Sequence, residues 1–160
     1  MRVLPYVTLF LTLSLVGCDR ADTPPPAPMA ATTPGDAANG ATATSNGITL
    51  RANVVETRDL QESVARGYGI AREPNQALLL LTVRDANGDN ATPVTLQATV
   101  SDIRGGERPL QLREIRAGEF VDRIALLPIA APDTLTFDVR AQLVPGSTST
   151  VRFSRDFYPR

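Results

Sequence analysis

Apolar and polar residues alternate along much of the chain beyond Ile48, with the period of two that is typical of a β-strand buried on one face. The clearest stretch covers residues 134–144, TLTFDVRAQLV. It predicts a strand with one face in the core and the other in water. The predicted inward residues are Leu135, Phe137, Val139, Ala141 and Leu143.

Six further strands are predicted from the same pattern and from turn residues at their ends. Stretches beginning at Ile48 and Thr92 alternate, whereas residues 77–83 are apolar on both faces, which predicts a central strand. The predicted inward residues are Ile48, Leu50 and Ala52 in the first stretch and Val94, Leu96, Ala98 and Val100 in the second. The other strands are predicted at residues 109–116, 119–127 and 150–158. Seven short strands predict an all-β fold, an immunoglobulin-like antiparallel β-sandwich, with a small open barrel as the alternative.

One helical turn is predicted after the first strand, in RDLQESVARGYG (residues 58–69). Asp59 is placed to cap the first turn, Glu62 to reach back to it, and Gly67 to end the helix in a left-handed conformation. We therefore interpret Asp59 and Glu62 as a capping box and not as paired catalytic carboxylates.

The segment DANGDN (residues 85–90) predicts a tight hairpin between the second and third predicted strands, because Asn87 and Gly88 tolerate positive φ. Its spacing of Asp and Asn also resembles the start of a calcium loop. The sixth position is Asn90 instead of glycine, however, and the twelfth is Leu96 instead of a carboxylate. We predict a turn and no metal site.

A second hairpin is predicted in REIRAGEFVDR (residues 113–123), with Ala117 and Gly118 as a two-residue loop. In this register opposite charges face each other across the strands. The pairs are Arg116 with Glu119 and Arg113 with Asp122.

The apolar residues near this hairpin do not fit one uninterrupted strand, since Leu110 and Leu112 would lie on the face opposite Ile115. A bulge near Arg113 would reconcile the two patterns. Bulges also direct side chains towards sites, so Arg113 and Glu114 have two interpretations, a functional pair or solvated ion pairs. We favour the ion pairs.

The first eighteen residues have the order of an export signal, with a positive start at Arg2 followed by an apolar run. This run is shorter than the roughly 20 apolar residues of a membrane-spanning helix. LVGC (residues 15–18) resembles the lipobox of bacterial lipoproteins. The resemblance implies removal of residues 1–17 and anchoring in a lipid bilayer through an acylated Cys18. An ordinary signal with an incidental cysteine, or a free thiol, is the alternative.

Residues 19–46 contain five prolines and no isoleucine, leucine, valine or aromatic residue, so their composition predicts a flexible tether. Its PPPAP segment is also open to interpretation as a proline-rich recognition motif. Asp19 resembles the signal that keeps lipoproteins in the inner membrane of enteric bacteria. The predicted organisation is a signal peptide (1–17), an acylated cysteine and tether (18–46) and a β-sandwich domain (47–160) facing the periplasm.

The composition excludes several kinds of chemistry. The chain has no histidine and no lysine, so histidine-based nucleophile systems, Schiff bases and a P-loop lysine are unavailable. From Ile48 onwards fourteen arginines are matched by fourteen acidic residues, and this neutral, interspersed pattern predicts no nucleic-acid partner.

Three stretches resemble a known family in order and spacing. They are YGIAREPNQALLLLTV (residues 68–83), LQLREIRAGE (110–119) and VRFSRDFYP (151–159). They are similar to the small exported bacterial proteins catalogued as domain of unknown function 4426 (DUF4426). The resemblance runs from about residue 48 to 158 and implies an immunoglobulin-like β-sandwich with no established activity. The chain departs from the pattern at Gln76, where the family has arginine, and at residues 121–123, where aromatic side chains are expected.

We expect a tethered, non-catalytic binding or scaffolding module that needs no cofactor and contacts a protein of the cell envelope. The alternative is a small hydrolase using Glu114 with Glu119 or Asp122. The predicted contact surfaces are residues 150–158 and 68–75, unless their aromatic side chains close the core. The candidate binding or family-motif residues are Tyr68, Gly69, Ile70, Asn75, Arg113, Glu114, Ile115, Gly118, Phe157 and Tyr158.

Overall fold

The computed structural model describes residues 40–144 and 147–159. These residues form nine strands: β1 (Gly40–Ser45), β2 (Ile48–Glu56), β3 (Gln76–Arg84), β4 (Thr95–Ser101), β5 (Glu107–Pro109), β6 (Arg113–Ala117), β7 (Phe120–Pro128), β8 (Asp133–Val144) and β9 (Ser147–Phe157). A 3₁₀ turn (Thr57–Asp59) and one α-helix, α1 (Glu62–Tyr68), lie between β2 and β3. The predicted signal, Cys18, Asp19 and the PPPAP segment lie outside the described residues.

The strands form two antiparallel sheets packed as an immunoglobulin-like β-sandwich, which confirms the predicted fold class. The first sheet has the order β1-β2-β3-β7-β6 and the second the order β5-β4-β8-β9. The strand count is nine instead of seven. The strand rich in leucine, β3, lies at the centre of the first sheet as predicted, with β2 on one side and β7 on the other.

The main core lies between the sheets and follows the alternation read from the sequence. All five residues predicted to face inwards from β8 are buried, and Phe137 and Phe153 stack with ring centroids 5.2 Å apart. One inward prediction is wrong. Val94 is 62% exposed and directly precedes β4, where its backbone N–H donates to the Gln142 carbonyl oxygen.

The folded domain begins earlier than the composition predicts, because β1 lies inside the segment interpreted as a tether. Ala41 and Ala43 are buried in the main core, and β1 pairs with β2 along its full length. Alanine adds little apolar surface, so a composition count misses these positions. Gly40 is required at the start of β1, since a Cβ there would lie 2.1 Å from the Ala52 carbonyl oxygen.

The strand predicted at residues 109–116 is two strands that belong to different sheets. β5 pairs with β4 in the second sheet, and β6 pairs with β7 in the first. The chain crosses between the sheets at residues 110–112. Leu110 and Ile115 therefore point into different clusters, and the predicted bulge near Arg113 is wrong.

The helix is capped differently from the prediction. Gln61 is the N-cap residue and no side chain caps that end, so the capping box of Asp59 and Glu62 is wrong. Glu62 instead pairs with Arg66 one turn along the helix. Gly69, with φ of 63°, ends the helix two residues beyond Gly67. Among the described residues no helix is long and apolar enough to cross a membrane.

The DANGDN segment forms the predicted tight turn but not a hairpin of paired strands. Gly88 has φ of 88°, and the Asp85 carboxylate accepts hydrogen bonds from the backbone N–H groups of Asn87 and Asp89. The turn closes on a single bridge between Arg84 and Asn90. The chain then leaves the first sheet, because β4 belongs to the second.

Candidate functional site

Two of the family motifs meet on the outer face of the first sheet. The segment between β2 and β3 packs on this face through Leu60, Tyr68 and Ile70, and Ile70 lies in a small buried cluster. We call this the outer cluster; its buried members are Ile70, Leu78, Ile115 and Ile124. Arg113 donates a hydrogen bond of 2.7 Å from Nη2 to the Tyr68 carbonyl oxygen. The structure thus brings YGI and REI together through packing and one bond.

The hairpin joining β6 and β7 has a different register from the predicted one. Ala117 lies opposite Phe120, so the two-residue loop consists of Gly118 and Glu119. Gly118 has φ of 63°, which explains why glycine stands at the first loop position. Arg116 therefore lies opposite Val121, and the predicted pairing with Glu119 is wrong.

Glu114 is held by two arginines. Its carboxylate oxygens lie 2.9 Å from Arg116 and 2.9 Å from Arg123. The predicted ion-pair role therefore holds for Glu114. Arg113 takes no part in these ion pairs and bonds to the Tyr68 carbonyl oxygen instead. The predicted pairing of Arg113 with Asp122 is wrong, because Arg113 lies opposite Ile124.

Asp122 pairs with Arg84, a residue that the sequence did not single out. Both side chains are largely buried, and the Arg84 guanidinium lies 5.1 Å from the centre of the Phe120 ring. Arg84 also donates to the Val121 carbonyl oxygen at 3.2 Å. The only sequence signal was an arginine at the end of an otherwise apolar strand.

The environment of Tyr68 shifts the pKa of its hydroxyl group. Burial raises the pKa of its hydroxyl above the usual 10.0, and the negative charge of Asp122 raises that pKa further. The neutral hydroxyl is therefore favoured in the folded protein, and Tyr68 is poorly suited to act as a base.

The other candidate residues, Asn75, Phe157 and Tyr158, make contacts within the fold. The Asn75 carbonyl accepts a hydrogen bond of 3.0 Å from the backbone N–H of Ile129. Phe157 is 1% exposed in the main core, so it closes the core and presents no aromatic surface to a partner. Tyr158 is 65% exposed, and its hydroxyl donates to Asp156 at 3.3 Å.

A polar groove of about 350 Å³ crosses the outer face of the second sheet. We call it the second-sheet groove; it is lined by Gln97, Thr99, Ser101, Glu107, Thr136, Asp138, Arg140 and Arg152. The alternation predicted an exposed polar face here but not a groove, because its shape depends on how β4, β5, β8 and β9 pack side by side.

Charges in the second-sheet groove are weakly paired, in contrast to those around β6 and β7. The Asp138 carboxylate and the Arg152 guanidinium are 3.9 Å apart. The side chains of Arg140 and Glu107 have no hydrogen bond or ion pair to a side chain within the described part of the chain. The groove therefore presents acidic and basic groups that a partner can bind.

The carboxylates proposed for the alternative hydrolase are not arranged as an acid and a base. Glu114 is neutralised by two arginines and Asp122 by Arg84, while Glu119 lies in an exposed turn. Within residues 40–144 and 147–159, no group of three or more His, Cys, Asp or Glu side chains is placed to hold a metal ion.

Comparisons with known proteins agree with the fold. The family model described as "Domain of unknown function (DUF4426)" matches residues 43–160. A DUF4426 family protein from Pseudomonas aeruginosa PAO1 has a similar crystal structure, with a TM-score of 0.63 at 20% identity, covering 76% of this chain and 97% of that one. FetP of uropathogenic Escherichia coli strain F11 has a TM-score of 0.53 at 12% identity, covering 75% of this chain and 94% of FetP. No curated protein matches significantly.

Proposed function

Because the chain belongs to the DUF4426 family, whose function is unknown, we propose from its own surface that it is a non-catalytic binding module of the bacterial cell envelope. The observation that carries this proposal is the second-sheet groove with its weakly paired charges. The sheet holds these groups in fixed positions. Binding a partner therefore orders few side chains and costs little conformational entropy.

The partner we propose is a protein segment of the cell envelope that carries both acidic and basic side chains. Such a segment can place a carboxylate at Arg140 and a basic group at Glu107. The hydroxyl of Thr99 and the amide of Gln97 offer hydrogen bonds along the same face, whereas the Thr136 hydroxyl is already bonded to that of Ser154 at 2.9 Å.

We further propose that acylated Cys18 anchors the domain and that the chain up to Gly40 spaces it from the bilayer on the periplasmic side. The lipobox-like LVGC supports the anchor, and the inner membrane is favoured by Asp19. Two or three acyl chains provide stable membrane binding where one gives only a reversible interaction.

Labelling with palmitate tests the anchor. The wild type should incorporate the label, and the Cys18→Ser variant should not. Equal labelling of both proteins would overturn the anchor without touching the proposed binding surface.

Photo-crosslinking in the envelope tests the groove. A photoreactive residue at Thr99 should capture a reproducible protein partner, whereas the same residue at Asn53, on the first sheet, should not. Arg140→Glu should reduce capture at Thr99, while Arg51→Glu, an exposed change on β2, should leave it unchanged. Capture that is equal at Thr99 and Asn53 would contradict the proposal.

A further inference from the structure

The outer edge of β6 is the open edge of the first sheet. β6 ends the strand order and pairs with β7 alone among the described residues. The other edges differ, because β1 and β9 lie beside each other and β5 has only three residues. A free strand edge carries unpaired backbone N–H and C=O groups that can bind another strand.

The register of the β6–β7 hairpin shows which backbone groups point outwards. Ala117 and Phe120 face each other across the two-residue turn, where a hairpin closes on a hydrogen-bonded pair. Hydrogen bonding in an antiparallel pair alternates along each strand, so Arg113, Ile115 and Ala117 bond to β7. The N–H and C=O groups of Glu114 and Arg116 therefore point to the open edge.

The two residues whose backbone faces the edge carry opposite charges. We propose that β6 pairs antiparallel with β6 of a second copy of this chain, about a two-fold axis at Ile115. Glu114 then lies opposite Arg116 of the partner subunit, and Arg116 opposite the partner's Glu114. The register that makes four backbone hydrogen bonds is the same register that makes two cross-strand charge pairs.

Neighbouring registers are disfavoured by charge. Sliding the copies by two residues keeps the hydrogen-bonding phase but places Glu114 opposite the partner's Glu114, or Arg116 opposite the partner's Arg116. Like charges directly opposite each other are destabilising. The edge is thus self-complementary in one register, as an isologous two-fold contact requires.

Existing contacts of the two side chains permit this pairing. The Arg116 side chain is 74% exposed, so it can turn from Glu114 of its own strand to the partner's without leaving a buried site. Arg123 stays beside Glu114 and continues to neutralise it. The inference goes beyond the proposed function, since it uses the first sheet and does not depend on the second-sheet groove.

Analytical ultracentrifugation of the full chain tests the proposal, using Cys18→Ser in all samples so that no acyl group drives association. The concentration series should extend to about 1 mM, so that a weak dimer is also populated. We expect a reversible dimer for this reference protein. Glu114→Arg and Arg116→Glu, each alone, should weaken the dimer roughly tenfold or more, because like charges then face each other.

Two further samples separate pairing from misfolding. The double variant Glu114→Arg with Arg116→Glu should dimerise again, since the opposed charges are exchanged but still complementary. An equimolar mixture of the two single variants should form a heterodimer. A monomeric reference protein over the whole series, or single variants that dimerise as tightly as the reference, would overturn the proposal.

Discussion

Arg113 and Tyr68 lie 45 residues apart in the chain and are joined by a hydrogen bond of 2.7 Å from the Arg113 guanidinium to the Tyr68 carbonyl oxygen. This bond fastens the end of α1 to β6. It gives Arg113 a structural role at the point where two family motifs meet.

Replacing Arg113 by alanine should therefore destabilise the domain without affecting partner capture at the second-sheet groove. The expected loss is about 1 kcal/mol, the net value of a hydrogen bond at an exposed position. Urea unfolding measures it, and Arg108→Ala, an exposed residue of β5, is the matched control. Unchanged stability together with lost partner capture would instead assign Arg113 to a binding site.

The pair of Arg84 and Asp122 should be costly to break, since the Arg84 and Asp122 side chains are only 18% and 10% exposed. Asp122→Asn leaves the Arg84 charge partly buried and should cost about 2 kcal/mol, below the range for fully buried pairs. A double-mutant cycle with Arg84→Met measures the coupling. Asp138→Asn, at the loose pair with Arg152, should cost less than about 0.5 kcal/mol.

Stability should fall at alkaline pH partly through Tyr68. The pKa of its hydroxyl is raised in the folded protein, first by burial and then by Asp122, so the unfolded chain ionises at a lower pH. The stabilisation that the neutral Tyr68 hydroxyl gives to the folded protein is fully present below the usual pKa of 10.0. It is lost as the pH rises through the folded-state pKa.

Tyrosinate absorbance of the wild type minus that of Tyr68→Phe measures the ionisation directly. The difference should titrate above pH 10.0, and Tyr68→Phe should lose less stability than the wild type over the same range. A difference spectrum that titrates below 10.0 would contradict the assigned environment.

Two glycines, one inside α1 and one directly after it, should respond to alanine in opposite directions. Gly67 lies inside the helix with no atom near its missing Cβ, so Gly67→Ala should stabilise by roughly 0.5–1 kcal/mol. Gly69 ends the helix at φ of 63°, where Gly69→Ala should destabilise by about 1 kcal/mol. Thermal unfolding of the two variants decides which glycine ends the helix, and the reverse order of stabilities would restore Gly67 to that position.

Neighbouring aromatics at the end of β9 provide another matched comparison. Phe157 fills the core, so Phe157→Ala should cost about 3–5 kcal/mol. Tyr158 is exposed, and Tyr158→Ala should change stability by less than about 0.5 kcal/mol. Denaturant titration of both proteins checks this, and similar costs would mean that Tyr158 also packs in the core.

Strand positions were predictable to the extent that they depend on neighbours in sequence. The faces of β8 and the central place of β3 follow from the spacing of apolar residues, because successive side chains of a strand point to opposite faces. The family resemblance named the family that the matching model covers over residues 43–160.

Long-range pairing was not predictable from the same pattern. An apolar stretch does not indicate which sheet it joins, so the pattern predicts one strand where β5 and β6 are two. The pattern does not decide the hairpin register either, because Ala117–Gly118 and Gly118–Glu119 are both acceptable two-residue loops. Nothing near Arg84 in the sequence indicates its role, because its partner lies 38 residues further along the chain.

The sequence by itself determined the buried face of a strand such as β8, since that depends on a local period of two along the backbone. Only the tertiary structure decided that β1 belongs to the domain, that Glu114 and Asp122 bind different arginines, and that the second sheet carries a groove. Each of these depends on contacts between residues distant in sequence, and the geometry of the strand crossings sets those contacts.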